Sequence, residues 1–234
     1  VRQPFQADAN QEVRQESLAH APITPMAHSN LHRLTLPHLL RVMPGIEGRK
    51  PRVLDLGAGS GSMSQLLHQT GYAVEACDLE PALFQFPAVT CRRADFSEPL
   101  PYDSGSFDAV VCVEVLEHLD AHRQLFEEVQ RVLKPGGVFL FTTPNVMSIK
   151  SRLSFLWTGF EHSFYPLDTS IQTPQEWHIS GYSGNRYRFV LDLAGLKLQE
   201  VRYDKQSRSS LAFAWLVPLI KLRTWLRHGR QPGA

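Results

Sequence analysis

The 234-residue chain predicts an α/β fold built on a doubly wound, mostly parallel sheet. Three observations predict it. From residue 52 onward, short apolar runs alternate with amphipathic segments, the rhythm of strand–helix–strand units. The run Phe107–Val113 is nearly all apolar, as a strand covered on both faces has to be. The turn Gly57-Ala58-Gly59-Ser60-Gly61 joins the first strand of the series to its helix, at the position where parallel sheets place ligands.

Each element follows from its own signals. Residues 1–30 are polar, rich in Gln, Ala and His, with prolines at 4, 22 and 25, and read as an N-terminal arm with a short helix near Asn10–His20. Residues 31–43 carry apolar positions at helical spacing, and Pro44, Gly45 and Gly48 end that helix. Strands are expected at Arg52–Leu56, Ala73–Asp78, Val89–Arg93, Phe107–Val113 and Val138–Thr143, with helices at Met63–Thr70 and Ala121–Leu133. The stretch 144–182 breaks the rhythm. It carries Phe155, Trp157, Phe160, Phe164, Tyr165 and Trp177 with few regular signals, and so long an insertion reads as a functional lid. A helix near Gly184–Ala194 and a strand near Lys197–Tyr203 resume the pattern. The expected organisation is an arm (1–30), one domain (31–205, with the lid at 144–182) and a basic, apolar tail (206–234).

Composition narrows the function. Apolar residues make up 43% and charged residues 20%, with a net charge of +1, which gives no footprint of a nucleic-acid-binding domain. The three cysteines, Cys77, Cys91 and Cys112, sit in apolar surroundings without ligand spacing, so neither a metal site nor a disulfide framework is expected. Residues 1–30 lack the apolar core of a signal peptide, and no apolar run reaches the roughly 18 residues of a spanning helix. The expected location is cytoplasmic.

The glycine turn brings the chemistry. A turn without Cβ atoms lets a ligand reach the backbone, and the following helix directs its N-terminal amides to the same place. Dinucleotide-binding oxidoreductases use a related loop, but here Gly61 comes one residue early, Ser62 stands where that fingerprint wants Gly or Ala, and Asp55 precedes the first glycine. Asp78, ending the second strand, suits a ribose diol under either reading. Asp95, followed by Phe96, discriminates: its carboxylate can accept from an adenine amino group with a ring alongside.

Together the stretches VLDLGAGSG (53–61), VEACDLEP (74–81), RRADFSEPLPYDSGSFDAVVCVEVLEHL (92–119) and LKPGGVFLFTTPN (133–145) resemble the class I S-adenosylmethionine-dependent methyltransferases. The likeness is to the branch holding ubiquinone-biosynthesis O-methyltransferases and bacterial methyltransferases of lipid and polysaccharide pathways. It implies a Rossmann-like sheet of about seven strands with the last antiparallel, and S-adenosyl-L-methionine as cofactor. By that resemblance Asp55, Gly57, Ala58 and Gly59 form the loop at the methionine portion. Asp78 and Leu79 meet the ribose, Asp95 and Phe96 the adenine, Val113 and Glu114 the sulfonium side, and Arg33 the cofactor carboxylate.

The implied reaction moves a methyl group to a small-molecule or lipid- or polysaccharide-linked acceptor at oxygen, which calls for a general base. His118, His162 and His178 are the candidates, each weighed against a packing or orienting role. The alternatives are a catalytically inactive cofactor-binding partner protein and an NAD-dependent oxidoreductase. After Asp204 the chain has no acidic residue, while Lys205, Arg208, Lys221, Arg223, Arg227 and Arg230 flank apolar residues. The segment Pro218–His228 predicts a short helix, and residues 211–228 are the expected place of a peripheral contact with an anionic membrane.

Overall fold

A computed structural model describes residues 31–43, 48–167, 177–203 and 215–228. The expected arm 1–30, with its helix near Asn10–His20, lies outside the described residues. The chain divides into two compact units. The first holds residues up to Glu114 together with Arg131–Thr142, the second Val115–Gln130 and residues from Thr143 onward.

The first unit contains the sheet. Its strands are β1 (Arg52–Leu56), β2 (Ala73–Asp78), β3 (Cys91–Arg93), β4 (Phe107–Val113) and β5 (Leu133–Thr142). All pair in parallel, in the order β3-β2-β1-β4-β5. The chain winds outward from β1 to β3, then returns to β4 beside β1, so the order reverses between β1 and β4. In such sheets the reversal opens a crevice at the carboxyl ends of the strands. Helices α1 (Leu31–Val42) and α2 (Ser62–Gln69) pack on each other and on the sheet.

Period-two alternation decides which side chains meet those helices. Val53 of β1 and Ala109, Val111 and Val113 of β4 share a buried cluster with Leu39, Met43, Met63 and Leu67. Asp55 is two residues on from Val53 and lies on the same helix-facing side. Its carboxylate is buried and accepts a 2.6 Å hydrogen bond from the Ser64 hydroxyl of α2. At the other end of the strands, Asp108 staples three segments. Its two oxygens take both guanidinium nitrogens of Arg49 at 2.6 Å, the amide of Arg52 at 2.8 Å and the Lys134 ammonium at 3.0 Å.

The second unit carries α3 (His122–Val132, of which Arg131 and Val132 belong to the first unit), α4 (Ile149–Thr158), α5 (Gly184–Leu193) and α6 (Leu216–His228). Helix α3 buries Leu125, Phe126, Val129 and Val132, one face at helical spacing. The buried His122 ring donates from Nε2 to the Leu116 carbonyl (2.6 Å) and lies against Tyr182 at 4.1 Å.

Three expectations need correction. Residues 197–203 form no strand, and the described residues hold five strands, all parallel, with no antiparallel member. Val201 and Tyr203 are exposed there; strand-forming residue types alone do not make a strand without a ladder beside them. The insertion 144–182 is not irregular throughout, because Ser148 caps α4 through the Ser151 amide and Gly159 ends it in a left-handed turn. The third strand begins at Cys91 rather than Val89. The predicted tail helix is present as α6, starting two residues before Pro218.

Two predictions concern these carboxylates. The cations and amide around Asp108 hold its carboxyl well below the usual range, so it contributes stability above about pH 4 that is lost as pH falls through its lowered value. Asp108→Asn should cost about 1.5–3 kcal/mol in urea unfolding at pH 7, with the gap closing below about pH 4; a gap that is constant with pH would contradict the charge-based account. Burial pushes Asp55 up to about 7. The folded chain keeps a proton that the unfolded chain has lost, so stability falls as pH rises from about 4 to about 7. Asp55→Asn should therefore gain on the parent in melting temperature across that window and stay level above it.

Candidate active site

In the first unit most of the predicted cofactor residues lie at or just beyond the carboxyl ends of β1, β2, β3 and β4. The chain leaves β1 at Gly57, whose amide donates to the Cys77 carbonyl at 2.9 Å, as does that of Ala58 at 3.1 Å. Gly57, Gly59 and Gly61 all have positive φ, a conformation that costs other residues dearly. Gly61 caps α2, and a Cβ there would come within 2.8 Å of the Phe84 ring. This is why the third glycine comes one residue earlier than in the dinucleotide fingerprint: it ends the turn instead of lying inside the helix.

Asp78 lashes this turn to β2. One carboxylate oxygen accepts the Gly59 amide at 2.8 Å and the other accepts the Glu80 amide at 2.9 Å. A carboxylate has about four acceptor sites, so capacity remains for ligand hydroxyls. Leu79 beside it is exposed. Asp95 accepts the amide and hydroxyl of Ser97 through one oxygen, at 2.9 and 2.7 Å, and these bonds lower its pKa. Phe96 next to it is half-buried.

Val113 ends β4 buried, and Glu114 follows with φ 53°, one of two positive-φ non-glycine residues among those described. The hydroxyl of Thr142 on β5 accepts the Glu114 amide at 3.0 Å and donates to its carboxylate at 3.1 Å. Backbone strain of this kind collects at functional positions. The Asp55 carboxylate engages Ser64 beneath the turn, and the Asp78 charge adds to the burial that raises its pKa. Arg33 falls in the first turn of α1, and its side chain lies outside the described residues.

The donor chemistry fits an adenosyl ligand. Left-handed glycines leave the backbone approachable, Asp78 keeps acceptor capacity at a strand end, and Asp95 offers a second carboxylate beside a ring.

The second unit brings two of the three candidate histidines together. The His118 and His178 rings are 5.0 Å apart, edge to face. The Glu117 carbonyl accepts the amides of Ile179 (2.8 Å) and Ser180 (3.1 Å), holding the 177–180 segment against residues 117–118. His118 Nδ1 lies 2.8 Å from the Trp177 carbonyl; a carbonyl only accepts, so Nδ1 carries the proton and Nε2 keeps its lone pair. Burial lowers the pKa of both histidines, and His118 lowers that of His178 further.

Sequence reasoning passed over Glu117. It is fully buried, and it joins His118 and His178 in a group whose ligand-type atoms all lie within 4.8 Å of one another. The expectation of no metal site rested on spacing along the chain, which cannot register a group closed by a histidine 60 positions away. His162 is placed differently, with Nε2 2.8 Å from the Lys150 ammonium. Val146, Met147, Ser151, Arg152, Phe155 and Glu161 line a pocket of about 250 Å³ in this unit.

Comparison with known proteins agrees with this architecture. Residues 54–141 match the family described as a methyltransferase domain. A ubiquinone biosynthesis O-methyltransferase from Alkalilimnicola ehrlichii is 30% identical over 125 residues, 50% of each chain. One from Xanthomonas oryzae is 33% identical over 124 residues, 49% of this chain and 52% of the relative. The chain thus spans about half the length of the curated relatives it matches. A solved S-adenosylmethionine-dependent methyltransferase from Mesorhizobium loti shares the fold, with a TM-score of 0.54 at 21% identity over 80% of this chain and 92% of that one. With this sheet and this glycine turn, residues 54–141 match a methyltransferase domain, and the chain is similar there to S-adenosylmethionine-dependent methyltransferases.

Proposed function

We propose that the chain transfers a methyl group from S-adenosyl-L-methionine to a hydroxyl oxygen of a small-molecule or lipid- or polysaccharide-linked acceptor. The observation that carries this reading is the turn at Gly57–Gly61, lashed to Asp78 at the carboxyl ends of β1 and β2. The similarity to ubiquinone biosynthesis O-methyltransferases supports oxygen as the accepting atom.

When bound, the cofactor supplies a methyl group already activated on a positive sulfur. The protein's share is to position the reactants and exclude water. In this reading Gly57, Ala58 and Gly59 present backbone to the methionine portion, with Arg33 at its carboxylate. Asp78 and Leu79 hold the ribose, Asp95 and Phe96 the adenine, and Val113 and Glu114 border the reacting end. Asp55 fixes the turn from below. A hydroxyl acceptor gives up its proton as the new carbon–oxygen bond forms, and the imidazole of His118 or His178 takes it at a free ring nitrogen. The lid 144–182 shapes the acceptor site, and the recess beside Ser151 and Arg152 is its candidate. Among the described residues no helix is long and apolar enough to cross a membrane. The reading places the protein in the cytoplasm, with a peripheral membrane contact through 211–228.

Asp78→Ala should weaken binding of S-adenosylhomocysteine by about 1.5–3 kcal/mol in calorimetry, and Asp78→Asn by less. Unchanged affinity in both would remove Asp78 from the site.

Turnover is assayed on phenols with a short prenyl tail and on lipid-linked sugars. His118→Ala or His178→Ala should lower kcat by about 10²-fold with little change in cofactor affinity, and His162→Ala, engaged with Lys150, by much less. Because the base is the neutral imidazole and both pKa values are lowered, the acid limb of kcat should lie below the usual 6.5 of histidine. Loss of activity on removing divalent cations would instead assign Glu117, His118 and His178 to an ion. Cofactor binding without turnover on any acceptor would favour the inactive-partner reading.

A further inference from the structure

We infer that α6 is a membrane-docking helix that lays its outward face along the surface of an anionic lipid bilayer. This deepens the peripheral contact proposed above by naming the face and the lipid charge. It does not depend on the identity of the methyl acceptor.

Helix α6 is turned the wrong way for a helix that packs on its own protein. No residue from Trp215 to Arg227 is buried. Trp215, Leu219, Leu222, Trp225 and Leu226 are each 52–69% exposed. Positions 215, 219, 222 and 226 are spaced by four, three and four residues, which puts them on one stripe of the helix, with Trp225 at its edge. Of the half-covered residues Leu216, Val217, Ile220 and Thr224, the last three fall on the opposite side and Leu216 lies at the flank beside Arg223. The apolar stripe therefore faces outward, and the side bearing the small Thr224 faces in.

The charges select the occupant. Arg223 and Arg227 flank the stripe on one side and Lys221 on the other, all exposed. Residues 205–234 carry six lysines and arginines and no acidic residue, in a chain whose net charge is only +1. Pairing with a second copy across a two-fold axis would bring the same cations face to face. An anionic interface takes both features at once: headgroups neutralise the flanking cations while Trp and Leu enter the boundary with the acyl chains. At 13 residues the helix is about 20 Å long, short of the roughly 30 Å hydrocarbon core. It lies in the interface and does not cross.

The test is co-sedimentation of the full chain with vesicles of phosphatidylcholine alone and of phosphatidylcholine with phosphatidylglycerol at 3:1. Binding is expected to the anionic vesicles at low salt, to weaken with added salt, and to be absent on the neutral ones. Lys221→Gln/Arg223→Gln/Arg227→Gln should lose about 100-fold in partition, and Leu219→Ser/Leu222→Ser/Leu226→Ser at least 10-fold. Calorimetry with S-adenosylhomocysteine on the same variants checks that they fold; unchanged cofactor affinity with lost vesicle binding supports the proposal, whatever the acceptor assays give. No binding to anionic vesicles at low salt overturns it, as does equal binding by both variants. A dimer in light scattering that the leucine variant converts to monomer overturns it in favour of a second copy.

Discussion

The hydrogen bond from the Gly59 amide to Asp78 is the constraint on which the rest of the site depends. It closes a turn whose other bonds already run to the same strand, from Gly57 and Ala58 to the Cys77 carbonyl. β1 and β2 are in register from Arg52/Ala73 to Leu56/Cys77, so the strand ladder hands over to side-chain and loop bonds without a break. A turn held at both ends of its path loses little conformational freedom when a ligand arrives, which is the advantage of preorganisation. The same bond fixes the Asp78 carboxylate, so the residue that organises the turn is also the one that faces a ribose in the proposed complex.

Two buried carboxylates in the first unit show how environment sets opposite chemistry for one side chain. Asp108 sits among Arg49, Lys134 and the Arg52 amide and is stabilised as an anion. Asp55 has hydroxyl and amide partners from Ser64 but no cation, and burial dominates. The difference follows from position on the strands. Asp108 lies near the start of β4, where the half-exposed chains of Arg49 and Lys134 reach it with their ends in solvent. Asp55 lies deep under α2, where a long cationic side chain would have to be buried whole. The fold tolerates that carboxyl because it joins strand to helix immediately beneath the turn. A polar link there fixes the register of α2 against β1 in a way that apolar packing alone does not.

Much of this was legible in the sequence because its causes are local. The uniform apolar run of β4 and the strand–helix rhythm from residue 52 mark the sheet, and the glycines mark a backbone that must turn left-handed. What escaped detection depends on distant partners. Lys197–Tyr203 carries the strand-forming residues Val201 and Tyr203, yet β-structure needs a neighbouring ladder, and nothing in those seven residues says whether one is present. Within 144–182 the aromatics obscured a helix whose evidence was its two ends, Ser148 and Gly159. Glu117 was invisible as a site candidate because its significance comes from His178, brought beside it by the backbone bonds of Ile179 and Ser180. Thr142 likewise gains meaning only from the β4–β5 register, which sets it opposite Val113 and next to strained Glu114.

The second unit departs most from the rule that a chain hides its apolar surface. Trp157 at the end of α4 is 88% exposed, and Phe155 and Leu156 beside it are exposed as well; the stripe on α6 repeats the pattern. Scattered exposed apolar residues are ordinary, but contiguous aromatic and aliphatic ones are not. The first unit shows that this sequence can bury what it needs to, since Val53, Leu54, Leu56 and Val110 are wholly inaccessible. Local agreement between pattern and burial in one unit, with its inversion on particular helices of the other, separates a stability requirement from a surface requirement. The sheet and glycine turn need a close-packed, water-free environment to hold carboxylates and strained backbone in place. The exposed helices have no such task, and the tryptophans they present to solvent are the side chains best suited to a boundary that is apolar at one depth and wet at the next.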